Sequence, residues 1–124
     1  MNLLLDTHVL LKWLGDLEVA AEARAAIADP DNLVVVSAAS VWEASIKRAL
    51  GKLEAPEGLA DIILASGFEP LHITGAHAER AGGLPPHHHD PFDRMLVAQA
   101  QAEALTVVTG DATFESYDVN VLRC

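Results

Sequence analysis

Cysteine is nearly missing from this chain: the only one is Cys124, the last residue. No internal disulfide can form, so nothing in the composition points to an oxidising compartment. Positive charge is also scarce, with 8 Lys and Arg against 18 Asp and Glu and a formal net charge of -10. A general nucleic-acid binder would carry basic patches, and this composition does not read as one. No apolar run approaches the roughly 18 residues of a membrane helix. The stretch from Met1 to Asp6 has no basic flank and too short an apolar run for a secretory leader. Repeats, low-complexity segments and Gly-rich phosphate loops of the P-loop or dinucleotide type are absent as well. The expected location is the cytoplasm, with no membrane association.

What the chain does have is hydrophobic content, 51% of 124 residues. That is enough for one core, and the expectation is a single domain over 1–124. Leu3 to Leu5 reads as a short buried strand ending at Asp6, followed by a helix over His8 to Leu14 that stops near Gly15. Val19 to Ala28 is Ala-rich and helical, closed by Asp29-Pro30-Asp31. Leu33 to Val36 is a β-branched strand, and Ala38 to Leu50 a helix closed by Gly51. A helix over Glu57 to Ala65, a strand within Phe68 to Ile73 and a helix over Gly75 to Ala81 follow. Gly82 to Pro91 is a loop rich in Gly, Pro and His. Phe92 to Ala104 has few polar positions and reads as a helix buried on most sides. Thr106 to Thr109 is a strand, Asp111 to Tyr117 a turn region, and Val119 to Leu122 a last strand. Alternation of this kind predicts an α/β fold, a three-layer α/β/α sandwich around a mostly parallel sheet.

In open parallel sheets, sites form beyond the carboxyl ends of the strands. Asp6 closes the first strand and Asp111 follows the fourth, so both belong at that edge. Each is also a good turn or helix N-cap residue. Glu43 lies inside a helix, with Ala39, Ile46 and Leu50 at helical spacing on its face. Two local motifs compete for it: a capping box from Ser40, weakened because Ser37 is an equally good N-cap, and an i,i+4 pair with Lys47. Asp93 opens a helix whose face carries Leu96, Val97 and Ala100, although a first-turn acid also suits the helix dipole. Asp90 reads as that helix's N-cap, with Arg94 as a possible partner. Several converging carboxylates repel one another and resist ionisation. A hard divalent cation removes that cost, activates water and shares phosphate oxygens.

Together, Leu4-Leu5-Asp6-Thr7-His8, the Ser37 to Glu43 segment, His88-His89-Asp90-Pro91-Phe92-Asp93-Arg94 and Val108-Thr109-Gly110-Asp111 resemble a PIN domain. The nearest likeness is to toxins of VapBC-type toxin–antitoxin modules, and it extends over essentially the whole chain. The His-Asp-Pro-Phe-Asp-Arg block is specific; Thr-Gly-Asp is not. The resemblance implies a ribonuclease using Mg²⁺, or Mn²⁺, held by Asp6, Glu43, Asp93 and Asp111. Thr7 and Thr109 match supporting hydroxyl positions, and Asp90 matches an extra acid of this subgroup. It further implies a homodimer, an RNA substrate and a VapB-type antitoxin. Two alternatives remain open: an inactive PIN scaffold that only binds a partner, and an Asp6-based phosphoryl-transfer or receiver-like protein.

The remaining polar residues are read more plainly. His87-His88-His89 invites a transition-metal site, but no Cys or second His cluster completes one. His8 reads as helix-start packing. Trp13 and Trp42 read as core rather than base-stacking platforms. Lys47, Arg48 and Lys52 are the densest basic patch and, with Arg94, the candidates for RNA-backbone contacts.

Overall fold

The computed structural model describes all 124 residues. Five strands, β1 (Asn2–Leu5), β2 (Leu33–Ser37), β3 (Glu69–Leu71), β4 (Thr106–Thr109) and β5 (Asn120–Arg123), form one sheet in the order β3-β2-β1-β4-β5. Every pairing is parallel. Six helices connect them: α1 (Thr7–Leu14), α2 (Ala21–Ala28), α3 (Ala38–Ala49), α4 (Leu59–Ala65), α5 (Gly75–Gly82) and α6 (Pro91–Glu103). The expected turn at Asp111 to Tyr117 is a 3₁₀ turn over Ala112–Ser116.

The period of two along the strands builds the layers. Leu3, Leu5, Val34, Val36 and Val108 face one side and pack with α1, α2 and α4 through Val9, Leu10, Ala23, Ile27, Leu59 and Ile63. Leu4, Val35 and Val107 face the other and meet Leu96, Val97 and Ala100 of α6, with Phe114 and Tyr117. α3 contributes Ala44 to the first cluster and Ala39 to the second, so it bridges the layers. Leu3, Leu4 and Leu5 are all 0% exposed, each contributing about 2–3 kcal/mol relative to exposure. A one-residue slip of β1 would swap their faces, so register is firmly set.

β1 is the pivot of the topology. The chain works outward from it through β2 to β3, then returns to its other side for β4 and β5. The switch point therefore lies between β1 and β4, where Leu5 pairs with Val108. This order removes the receiver-like alternative, whose sheet runs 2-1-3-4-5.

Local signals explain the element ends. Ser37 caps α3 by accepting from the Ala39 amide at 3.0 Å. Asp90 caps α6 by accepting from Phe92 and Asp93, and Pro91 opens that helix where no amide hydrogen is needed. Gly58, at φ +69, starts α4, two residues later than the sequence suggests. Only Glu69–Leu71 of the Phe68 to Ile73 stretch forms a strand, at the sheet edge. Pro70 there lacks an amide donor, which an edge strand tolerates. No helix is long and apolar enough to cross a membrane.

Candidate metal centre

Asp6 leaves β1 at the switch point and is 5% exposed. Its Oδ1 accepts from the His8 amide at 3.1 Å, capping α1, and its Oδ2 accepts from Thr109 Oγ1 at 2.6 Å. Both readings of Asp6 are thus true: it caps a helix, and it sits at the sheet's carboxyl edge. Burial pushes its pKa up, but hydrogen bonds from His8 and Thr109 outweigh that and hold it below the ordinary 3.8. Thr109 also accepts from the Asp111 amide at 3.0 Å, so one hydroxyl fixes two acids. Thr7 is buried, but its hydroxyl donates to Ser40 at 3.0 Å and ties α1 to α3.

Glu43 is 2% exposed. Oε2 receives Lys47 Nζ, while Oε1 has no hydrogen-bond partner at all. The capping-box reading fails, because Ser37 is the cap and Ser40 is engaged with Thr7. The i,i+4 pair does form, yet it leaves a buried carboxylate oxygen unsatisfied, a costly state without a further partner. The face inferred for Glu43 needs correction. Ala39 is buried, but Ile46 and Leu50 are 36% and 62% exposed; the inward residues are Ala39, Ser40, Glu43 and Ala44.

Asp93 sits in the first turn of α6 above buried Leu96, Val97 and Ala100. Burial pushes its carboxyl up to about 7, and the nearby charges of Asp6, Asp90 and Glu43 add to the rise against an opposing pull from His88. The acids therefore converge closely enough for Asp93 to feel three of them. Asp111, on the far side of β4, caps the 3₁₀ turn through Thr113 at 2.9 Å. Burial, the largest single influence, raises it, but its bonds to Thr113 and His88 together outweigh that and hold it low.

One residue discounted in the sequence joins the acids. His88 Nε2 lies 2.9 Å from Asp93 Oδ2 and 3.0 Å from Asp111 Oδ2. One ligand-type atom from each of these three residues lies within 4.8 Å of the others. The triple-His run could not identify it, because the loop's path decides which ring turns inward; His87 and His89 are exposed. His8 is not helix packing either. Its side chain is 64% exposed beside Asp6, 3.7 Å away, and the Asp6 carboxylate raises its pKa.

The basic candidates are mostly engaged within the chain. Lys47 serves Glu43, and its pKa is raised chiefly by that bond. Arg48 pairs with Glu57 at 2.8 Å. Arg94 does not pair with Asp90; it donates to the carbonyls of Ala81, Leu84, Pro85 and His88. Lys52 is exposed. Trp13 packs against the core as expected, whereas Trp42 is 60% exposed, propped edge-on by Phe92 with centroids 5.1 Å apart.

The donor set has the chemistry of a divalent-cation site: oxygen-rich, anionic, with an orphaned buried oxygen and an acid held near neutrality. The sequence and the fold also match known proteins. The PIN domain model matches residues 3–120. Ribonuclease VapC16 of Mycobacterium tuberculosis is 41% identical over 70 residues, 52% of this chain and 50% of that protein. The match thus spans about half the length of that relative. In solved structures the same fold appears in VapBC2 from Rickettsia felis bound to a promoter DNA fragment, with TM-score 0.75, 16% identity, 100% of this chain and 99% of that one covered. FitAcB from Neisseria gonorrhoeae gives TM-score 0.71 at 23% identity, covering 98% of this chain and 96% of that one.

Proposed function

Because this chain belongs to the PIN-domain family, we propose that it is a divalent-metal-dependent endoribonuclease, with Asp6, Glu43, Asp93 and Asp111 holding Mg²⁺ or Mn²⁺. What supports the reading most is the closeness of Asp93 to Asp6 and Glu43 and, through His88, to Asp111, with Glu43 Oε1 buried and without a partner. A bound divalent ion would lower the pKa of water and neutralise charge on a phosphodiester. The chain's own part is positional. Thr109 orients Asp6, Lys47 fixes one oxygen of Glu43 and leaves the other free, and Asp90 sets the first turn that presents Asp93. Asp90 is spent on capping amides, which supports a positioning role over a ligand role.

The likeness to a VapC ribonuclease and to VapBC complexes supports the role of toxin in a toxin–antitoxin pair, acting in the cytoplasm as a homodimer with a VapB-type partner. The net charge of -10 favours a basic antitoxin segment and disfavours tight general RNA binding. A selective RNA target is therefore expected.

Purified chain free of antitoxin, incubated with RNA and Mg²⁺ or Mn²⁺ beside Asp6→Asn, tests this. Metal-dependent cleavage lost in the variant is the expected result. Cleavage persisting in EDTA or in Asp6→Asn refutes the metal site. Absence of cleavage by the wild type, with metal bound, favours the inactive-scaffold alternative.

A further inference from the structure

The loop between α5 and α6 is held far more firmly than its Gly, Pro and His content suggests. Arg94 donates to three of its carbonyls, at 2.9 Å to Leu84, 3.0 Å to Pro85 and 3.2 Å to His88, and at 2.9 Å to Ala81 of α5. Tyr117 Oη donates to Pro85 O and accepts from the His88 amide, both at 2.8 Å. Both main-chain polar groups of His88 are therefore fixed, and its ring stands edge-on to the buried Phe114.

The ring's own bonds decide which nitrogen carries the proton. Nδ1 accepts from the Asp90 amide at 3.3 Å. A neutral imidazole with a lone pair at Nδ1 has its hydrogen at Nε2. That hydrogen is donated to Asp111 Oδ2 at 3.0 Å, and Asp93 Oδ2 stands 2.9 Å from the same nitrogen. Direct ligation of a metal through Nε2 would put the proton on Nδ1, facing the Asp90 N–H, two donors head to head. So the same short distances that suggest a ligand trio are better met by a donor at Nε2, bonded to Asp111 and close against Asp93.

We propose that His88 is a positioning residue, whose Nε2–H is bonded to Asp111 while the same nitrogen lies against Asp93, and which holds these two carboxylates in place for a divalent metal. The proposal rests on the metal-site reading above. Carboxylates carried by α6 and by the turn after β4 otherwise have no common tether and repel each other. The donor bonds Asp111 Oδ2 and sets its positive end beside Asp93 Oδ2, which supplies restraint and partial charge compensation and leaves other carboxylate oxygens for the ion.

The test is Mn²⁺ binding to the intact chain, followed by the loss of the free-ion EPR signal, for wild type, His88→Ala and His88→Gln. The main-chain bonds at residue 88 survive both changes, and melting in EDTA checks that the variants are folded. His88→Ala should weaken Mn²⁺ binding about 10-fold or more, and His88→Gln, which keeps an N–H donor, should recover most of it. Wild-type Mn²⁺ should show no histidine ¹⁴N coupling by electron spin echo. Unchanged affinity in His88→Ala, or tighter binding, overturns the proposal. So does a ¹⁴N coupling that disappears in His88→Ala, which would make His88 a ligand. If wild type binds no Mn²⁺, the metal-site reading falls first and this proposal with it.

Discussion

Replacing Asp93 by Asn should stabilise the metal-free chain, and only above a definite pH. The Asp93 carboxyl is pushed from 3.8 to about 7, by burial first and then by Asp6, Asp90 and Glu43. That gap corresponds to roughly 4 kcal/mol at about 1.4 kcal/mol per pH unit. The side chain is 16% exposed, and water reaching it screens part of the effect, so about 2 kcal/mol is a reasonable expectation. The sign follows from proton binding. Below pH 3.8 the group is protonated in both folded and unfolded chains, and no penalty exists. Between there and about 7 the unfolded chain releases its proton while the folded chain keeps it, so stability falls as pH rises. Above about 7 the penalty is complete. Asn carries no such group and keeps the size of the Asp93 side chain. Thermal melting in EDTA should therefore find Asp93→Asn level with wild type at low pH and roughly 5–10 °C higher on the alkaline side of neutrality. Saturating Mg²⁺ should narrow the difference, because only wild type recovers its cost by binding the ion. A gain independent of pH, or an Asn variant that melts lower at alkaline pH, would refute the account of Asp93 as a strained member of an acid cluster.

Glu43→Gln should abolish both cleavage and metal-induced stabilisation, while the EDTA melting temperature stays unchanged or rises; a large drop in EDTA would make Glu43 structural. Thr109→Val removes the 2.6 Å bond to Asp6 and should cost about 1–3 kcal/mol near neutral pH. Asp6 is held low in the folded chain, so this loss should shrink as pH falls through its folded pKa; NMR titration should find the Asp6 pKa raised, and an unmoved value would refute the role given to Thr109. Arg94→Lys leaves a single ammonium to serve four carbonyls. Denaturant unfolding should record a loss of about 1–3 kcal/mol, and unchanged stability would return Arg94 to the list of substrate contacts.

Asp6 and Asp111 were legible because a short apolar strand followed by an acid places that acid at the edge of a parallel sheet. The β1/β4 adjacency that makes them neighbours was not, since strand order depends on long-range pairing. Ser37 and Asp90 were readable as caps, because capping is a contact over two or three residues. Asp93's apolar face was also readable, since Leu96, Val97 and Ala100 repeat at helical spacing and are all buried. α3 misled. It is only partly covered, so hydrophobic Trp42, Ile46 and Leu50 point outward, and the helix's inward face is marked by small residues instead. His88 and Arg94 were beyond reach for another reason: their partners are carbonyls and carboxylates placed by the course of a loop, and loop courses leave little periodicity to read.

The bond between Thr109 and Asp6 spans 103 positions of sequence. β1, the innermost strand, waits for β4 to complete its second edge, and Asp111 comes later still. A growing chain therefore carries Asp6, Glu43 and Asp93 long before it can assemble them. Contacts this distant form late and cooperatively. On the proposed ribonuclease reading, the site is acquired only once β4 has been made, and shortened products lacking β4 should be harmless.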